Sequence, residues 1–153
     1  MTEIEQQNNI IMKISLASDH AGYKYKQLIK IYLEKKGFIV IDRGTFSSAS
    51  ADYPDFIKLA AKDVSEHQSD LAIGVCGSGI GASIVANKFK GVRAALVFDE
   101  EMAQLSRQHN NANFLALGER FLDDDKVTRI LDVWLNTKFE GGRHERRVKK
   151  IED

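Results

Sequence analysis

The sequence predicts an α/β fold in which a five-stranded parallel sheet carries helices on both faces. Two observations predict it. Short apolar runs alternate five times with longer segments whose apolar residues recur at helical spacing. The runs are almost continuously apolar, as strands covered on both faces are, rather than alternating as half-exposed strands do.

In order, Ile14–Ala17 is the first strand. Tyr25, Leu28, Ile29, Tyr32 and Leu33 then recur at helix spacing, and Gly37 ends that helix. Phe38–Ile41 is the second strand. Arg43–Pro54 is a loop rich in Ser, Gly and Asp, closed by the chain's only proline. Phe56, Leu59, Ala60 and Val64 mark a second helix, and Leu71–Val75 a third strand. Ile84, Val85 and Phe89 suggest a third helix, followed by a fourth strand at Ala94–Phe98 and a helix over Glu100–Gln108. Phe114–Leu117 is the fifth strand. Val127, Ile130, Leu131, Trp134 and Leu135 give an amphipathic last helix. A basic tail follows Gly141-Gly142. Strand order does not follow from this pattern.

Residues 1–12 read as an extended or disordered segment, and 13–153 as one domain with a basic helical tail. Basic and acidic residues number 22 each, so no net field draws the chain to nucleic acid or an anionic membrane. The N-terminal residues are polar and lack the apolar centre of a signal peptide, and no apolar stretch is long enough to span a bilayer. One cysteine excludes an intramolecular disulfide and suits a reducing, cytoplasmic setting.

Ligands in such folds bind beyond the carboxyl ends of the strands. The most informative of those ends is Cys76-Gly-Ser-Gly-Ile-Gly81, where the only thiol precedes glycines at 77, 79 and 81. Closely spaced glycines let backbone N–H groups approach a ligand, and a helix start beside them adds unpaired donors. Such donors favour a thiolate over a thiol, and the Ser78 hydroxyl is placed to hydrogen-bond the sulfur. A base beside fixed N–H donors suits proton abstraction next to a carbonyl, where oxygen becomes negative. Two other readings stand beside this one: a buried structural cysteine at a tight turn, and a dinucleotide fingerprint. Gly77-Ser-Gly-Ile-Gly-Ala82 satisfies G-x-G-x-x-[GA], with Asp99 at the end of the next strand.

The remaining strand ends add candidates. Asp19 and His20 follow the first strand, where Asp19 either caps a helix or faces the ligand. His109 ends the fourth helix, as a dipole-stabilising residue or a proton shuttle, with Asn110 beside it. Arg143 and Arg147 share one face if the tail is helical, spaced to grip a phosphate or simply solvated. No aromatic residues interleave the tail, against a nucleic-acid patch. His20, His67, His109 and His144 show no metal-ligand spacing, so no metal is expected.

The stretches S-D-H-A-G, D-R-G-T, D-Y-P, C-G-S-G-I-G, A-N-K, V-R-A, S-R-Q-H-N, N-x-L-A-L-G and E-G-G-R-H-x-x-R-V occur in that order between Lys13 and Val148. Together they resemble the type B ribose-5-phosphate isomerase family. The resemblance implies a Rossmann-like three-layer α/β/α sandwich. It implies interconversion of ribose 5-phosphate and ribulose 5-phosphate through an enediolate, in the non-oxidative pentose phosphate pathway, without metal or cofactor. By that similarity Cys76, Ser78, Asp19 and His109 form the catalytic set, with Cys76 as the base and His109 as the donor that opens the furanose. Gly77, Ser78, Gly79, Ile80 and Gly81 would hold the enediolate oxygens. Asp19, His20 and Asn110 would contact the sugar, and Arg120, Arg143 and Arg147 its phosphate.

The family is homodimeric with shared sites, and some members are tetramers. Ser78 stands where many members carry threonine, which keeps the hydroxyl. Galactose-6-phosphate isomerase subunits share the C-G-x-G-x-G loop, which leaves allose 6-phosphate or galactose 6-phosphate as alternative substrates. The R-Q-H-N histidine and the tail arginines favour the five-carbon sugar.

Overall fold

The structure, a computed structural model, describes residues 11–153. The segment expected to be extended over residues 1–12 therefore lies, except for Ile11 and Met12, outside the described residues. Five strands form, β1 (Lys13–Ser18), β2 (Ile39–Asp42), β3 (Leu71–Cys76), β4 (Ala94–Leu96) and β5 (Phe114–Gly118). Between and after them run α1 (Tyr23–Lys35), α2 (Tyr53–Ser65), α3 (Ile80–Ala86), α4 (Glu100–Asn110), α5 (Asp124–Asn136) and α6 (Arg143–Ile151). A 3-10 turn, Glu119–Phe121, follows β5.

Local chemistry sets the boundaries. Gly37 follows α1 with φ +94°, a conformation that is cheap only for glycine. Pro54 sits in the first turn of α2, where its missing N–H costs nothing. Asp99 and Asp123 cap α4 and α5 by accepting the N–H groups of Met102 at 2.8 Å and Lys126 at 2.7 Å. Asn111 ends α4 at φ +47°.

The sheet is wholly parallel, in the order β2-β1-β3-β5-β4. On one face α1, α4 and α5 bury large side chains, among them Ile29, Leu33, Ile130, Leu131 and the fully enclosed Trp134. On the other, α2 and α3 pack mostly small ones, among them Ala17, Ala60, Ala61, Ala82, Ala86 and Ala116, around Ile57 and Phe114. Both faces are covered, as the continuous apolar runs require.

Three expectations need correction. The third helix ends at Ala86, so Phe89 lies beyond it, and it buries Ala82 and Ala86 while Ile84 remains 57% exposed. Small residues win there because the helix sits close over β3 and β5. Leu59, expected on the buried face of the second helix, is 43% exposed. The fourth strand stops at Leu96; Phe98 instead stacks edge-on against Phe121, ring centres 4.9 Å apart. No helix among the described residues is long and apolar enough to cross a membrane.

Candidate active site

Strand order decides which sequence motifs meet. From β1 the chain turns back to β2, and from β3 it runs on past β5 to β4, so β1 and β3 flank the switch point of the sheet. Asp19 leaves the end of β1 and Cys76 ends β3, and the two strands pair directly. A cleft of about 430 Å³ opens there, walled by Asp19, Tyr53, Cys76, Gly77, Ser78 and Arg120, with Ile80, Gly81 and Ile84 along its rim. Cys76 is only 4% exposed, yet it forms part of this wall. A larger groove of about 470 Å³ runs along edge strand β4, but its lining lacks the thiol and the glycine loop.

The three loop glycines serve different ends. Gly79 has φ +79°, and a Cβ there would lie 2.7 Å from Leu96 Cδ1 and 2.8 Å from the Leu117 carbonyl carbon. A Cβ at Gly81 would lie 2.6 Å from the Tyr53 ring. Gly79 is glycine because its backbone and neighbours leave no room, whereas a side chain at Gly81 would require the Tyr53 ring to shift. At Gly77 the nearest atom to such a Cβ is Arg120 Nε at 3.9 Å, so that face of the loop is open toward a guanidinium. Packing does not require glycine there.

Hydrogen bonds hold the frame. The Arg120 N–H donates to the Gly77 carbonyl at 3.0 Å, which ties the turn after β5 to the loop after β3. Ser78 Oγ accepts the Ile80 N–H at 3.2 Å, so the hydroxyl expected to face the sulfur instead braces its own loop. Asp19 Oδ1 accepts the Gly22 N–H at 3.0 Å, which makes Asp19 a turn cap as well as a cleft residue. Ala51 presents its N–H at 3.0 Å and its carbonyl at 3.2 Å to His20 Nδ1. The ring is thereby anchored whether it accepts as neutral imidazole or donates as imidazolium.

Tyr53, absent from the expected site residues, joins the cleft at the start of α2. Its only sequence signal was its place in D-Y-P, after a loop rich in turn residues. That loop is pinned at its other end by fully buried Lys26, whose Nζ reaches the Asp42 oxygens at 2.8 and 2.7 Å. Asp42 in turn accepts the Gly44 N–H at 2.9 Å.

His109, Asn110, Arg143 and Arg147 lie elsewhere. Helix α4 runs against the strands, so its last turn reaches the amino end of the sheet, where the Asn113 N–H donates to the Arg93 carbonyl at 3.0 Å. Register places Phe114 beside Ala72 and Gly118 beside Cys76, so the start of β5 lies about 13 Å below the thiol along the strands. One chain therefore does not bring His109 to Cys76. Arg93 organises this second cluster, donating from Nε to the Asn110 and Asn111 carbonyls at 3.3 and 3.0 Å and from Nη1 to Glu152 at 2.7 Å. It links the end of α4 to the end of α6.

The basic tail is helical, and Arg143 and Arg147 stand exposed one turn apart on it. Gly141 and Gly142, at φ +68° and +57°, make the turn that starts this helix. His144 stacks on His109, ring centres 4.2 Å apart and planes within 11°. Burial pushes the His144 pKa below its ordinary value; His109, Arg143 and Arg147 add to the shift, and Glu140 opposes it. Sequence spacing showed no metal-ligand set, yet the fold gathers His109, Glu140 and His144 within 4.8 Å.

The dinucleotide reading fails on topology. In a dinucleotide-binding unit the acidic residue ends the strand next to the glycine loop. Here β5 separates β3 from β4, and the Asp99 carboxylate is committed to capping α4.

Comparison with known proteins agrees with this geometry. The sequence profile of the ribose/galactose isomerase family matches residues 14–151. The chain is 44% identical to ribose-5-phosphate isomerase B of Escherichia coli over 139 residues, covering 91% of this chain and 93% of that one. The structure of ribose-5-phosphate isomerase B from Clostridium thermocellum superposes with a TM-score of 0.90 at 49% identity, covering 92% of this chain and 95% of its own. The Mycoplasma genitalium enzyme with bound ribulose 5-phosphate superposes with a TM-score of 0.88 at 47% identity, covering 92% and 93%. With a five-stranded parallel sheet, a thiol-and-glycine cleft at its switch point and these likenesses over nearly its whole described length, the chain belongs to the ribose/galactose isomerase family.

Proposed function

We propose that this chain interconverts ribose 5-phosphate and ribulose 5-phosphate, with Cys76 as the base. The supporting observation is the cleft itself: the sulfur walls it, Gly77 leaves open space above it, and Arg120 borders that space. The Cys76 thiolate takes the C2 proton of the open-chain aldose. The C1 oxygen becomes negative beside the N–H groups of residues 77–81, and an enediolate forms. A proton moves from the C2 hydroxyl to the C1 oxygen, and the thiol returns its own proton to C1, giving the ketose. No net electron leaves the sugar, so the reaction as written balances without a redox partner.

The open-chain aldose must first be released from its furanose. His109 protonates the ring oxygen while the C1 hydroxyl gives up its proton to solvent water, and Asn110 orients the sugar. Asp19 and His20 hold its hydroxyls, while Arg120, Arg143 and Arg147 take the phosphate.

Since His109 and Cys76 lie at opposite ends of one sheet, this chemistry calls for a homodimer in which each site draws on both chains. Ile80 and Ile84, one helical turn apart and 50% and 57% exposed at the cleft rim, suit coverage by a second copy. A lone thiol that must stay reduced suits a cytoplasmic setting.

The test mixes two inactive variants. Cys76→Ala and His109→Asn chains, unfolded and refolded together, should regain roughly a quarter of wild-type turnover, because half the dimers are hybrids and each hybrid holds one intact site. No recovery, with hybrids confirmed by mass, would sink the shared site. Assays on ribose 5-phosphate and allose 6-phosphate side by side, with chelator present, settle the substrate; faster turnover of the six-carbon sugar would overturn the assignment.

A further inference from the structure

We propose that His109, Glu140 and His144 form a binding site for a divalent transition cation of the Zn²⁺ class. The donor set is two imidazoles and one carboxylate, which zinc takes with water in the fourth position. Glu140 Oε2 lies 3.5 Å from His144 Nε2 and 3.9 Å from His109 Nε2. Zinc bonds of about 2.0–2.1 Å give a tetrahedral edge of about 3.3 Å, so the two edges to Glu140 need to close by less than about 0.7 Å, and the edge between the two histidines, which lies within 4.8 Å, by no more than about 1.5 Å.

The frame is suited to such closure. His144, 9% exposed at its side chain, is a fixed post. The Glu140 N–H donates to the Gln108 carbonyl at 3.1 Å, fastening the acid's backbone to the last turn of α4, one residue before His109. The side chains of Glu140 and His109 are 48% and 38% exposed, so both can adjust. The stacked rings do not yet aim their lone pairs at one point, so the His109 ring must swing about its χ2 torsion. Arg143 and Arg147 flank the cluster and oppose a cation, which sets the expected affinity at roughly micromolar, weaker than a structural zinc site.

The consequence rests on the isomerase reading above. A metal on His109 Nε2 occupies the lone pair that would carry the proton for ring opening, so the bound cation inhibits the enzyme. Sequence spacing hides this site because Glu140 and His144 are close in the chain while His109 lies some 30 residues before them.

The experiment titrates the tag-free, chelator-stripped chain with Zn²⁺ against a chromophoric chelator, and separately with Co²⁺. One cation per chain is expected, with a four-coordinate Co²⁺ spectrum lacking a thiolate charge-transfer band. Glu140→Gln and His144→Asn should each weaken binding at least about tenfold. Glu140 is exposed, so its substitution leaves folding intact. Unchanged affinity in both variants would overturn the site, as would a thiolate band that disappears in Cys76→Ala. Zinc that binds as expected but leaves turnover of ribose 5-phosphate untouched would uphold the site and remove His109 from the ring-opening step.

Discussion

The two ends of the sheet are built in different ways. At the carboxyl end the cleft is built around a glycine loop, with a buried thiol and a turn bonded to the loop through the Arg120 N–H. At the amino end the cluster is made of side chains, with two stacked imidazoles, a carboxylate and the exposed Arg143 and Arg147 of α6. Backbone at a strand end is held by its neighbours in the sheet, so it can place donors around a developing charge without further ordering. Long side chains on exposed helices are ordered only when something is pressed against them. In the proposed dimer, the second chain and the substrate phosphate supply that pressure.

Cys76→Ala should expose the contrast most sharply. Turnover should fall by about 10²–10⁴-fold with substrate binding retained, by equilibrium dialysis of ribulose 5-phosphate. Activity within tenfold of wild type would put the base elsewhere. His109→Asn should cost on the order of 10²-fold in turnover of ribose 5-phosphate, with less open-chain sugar trapped on the enzyme by NMR. Trapped open-chain sugar equal to wild type would free His109 of that role.

Smaller losses follow at the phosphate. Arg143→Ala and Arg147→Ala should each raise KM about 10–100-fold with little change in kcat, the effect of losing a charged hydrogen bond made equally in ground and transition states. A KM unmoved in both variants would make the tail ordinary solvated surface.

The loop offers an internal comparison. Gly79→Ala should destabilise the fold by about 1–3 kcal/mol, since it forces a side chain into left-handed backbone against Leu96 and β5. Gly77→Ala should leave Tm nearly unchanged and lose activity, because its extra methyl enters open ligand space. Equal losses of Tm in the two variants would mean that Gly77 too is there for packing. Tyr53→Phe is the mildest change, expected to move KM by no more than about tenfold while the ring still covers Gly81.

The contrast between the two ends also explains what could be read in advance. The strands were legible because burial on both faces leaves continuous apolar runs, and Val127, Ile130, Leu131, Trp134 and Leu135 marked α5 by period alone. That the residues around the thiol share one cleft was legible too, since the glycine loop is local in sequence. Ile84 misled because periodicity marks apolar residues, not which of them a neighbour covers. Asp99 kept a dinucleotide alternative open because spacing along the chain does not reveal the strand that intervenes between β3 and β4. Tyr53 was missed because nothing in its own segment indicates that it lies over Gly81.

By itself, the sequence determined the layers, the alternation of strand and helix, and a thiol set against a glycine-rich loop. These depend on hydrophobic period and on backbone freedom, which act within a few residues. Only the tertiary structure decided that Asp19 meets Cys76, that His109 stands at the far end of the sheet, and that His144 and Glu140 gather around it. Strand order and helix direction fix those meetings, and both are set by packing across the whole sheet rather than by any segment of it.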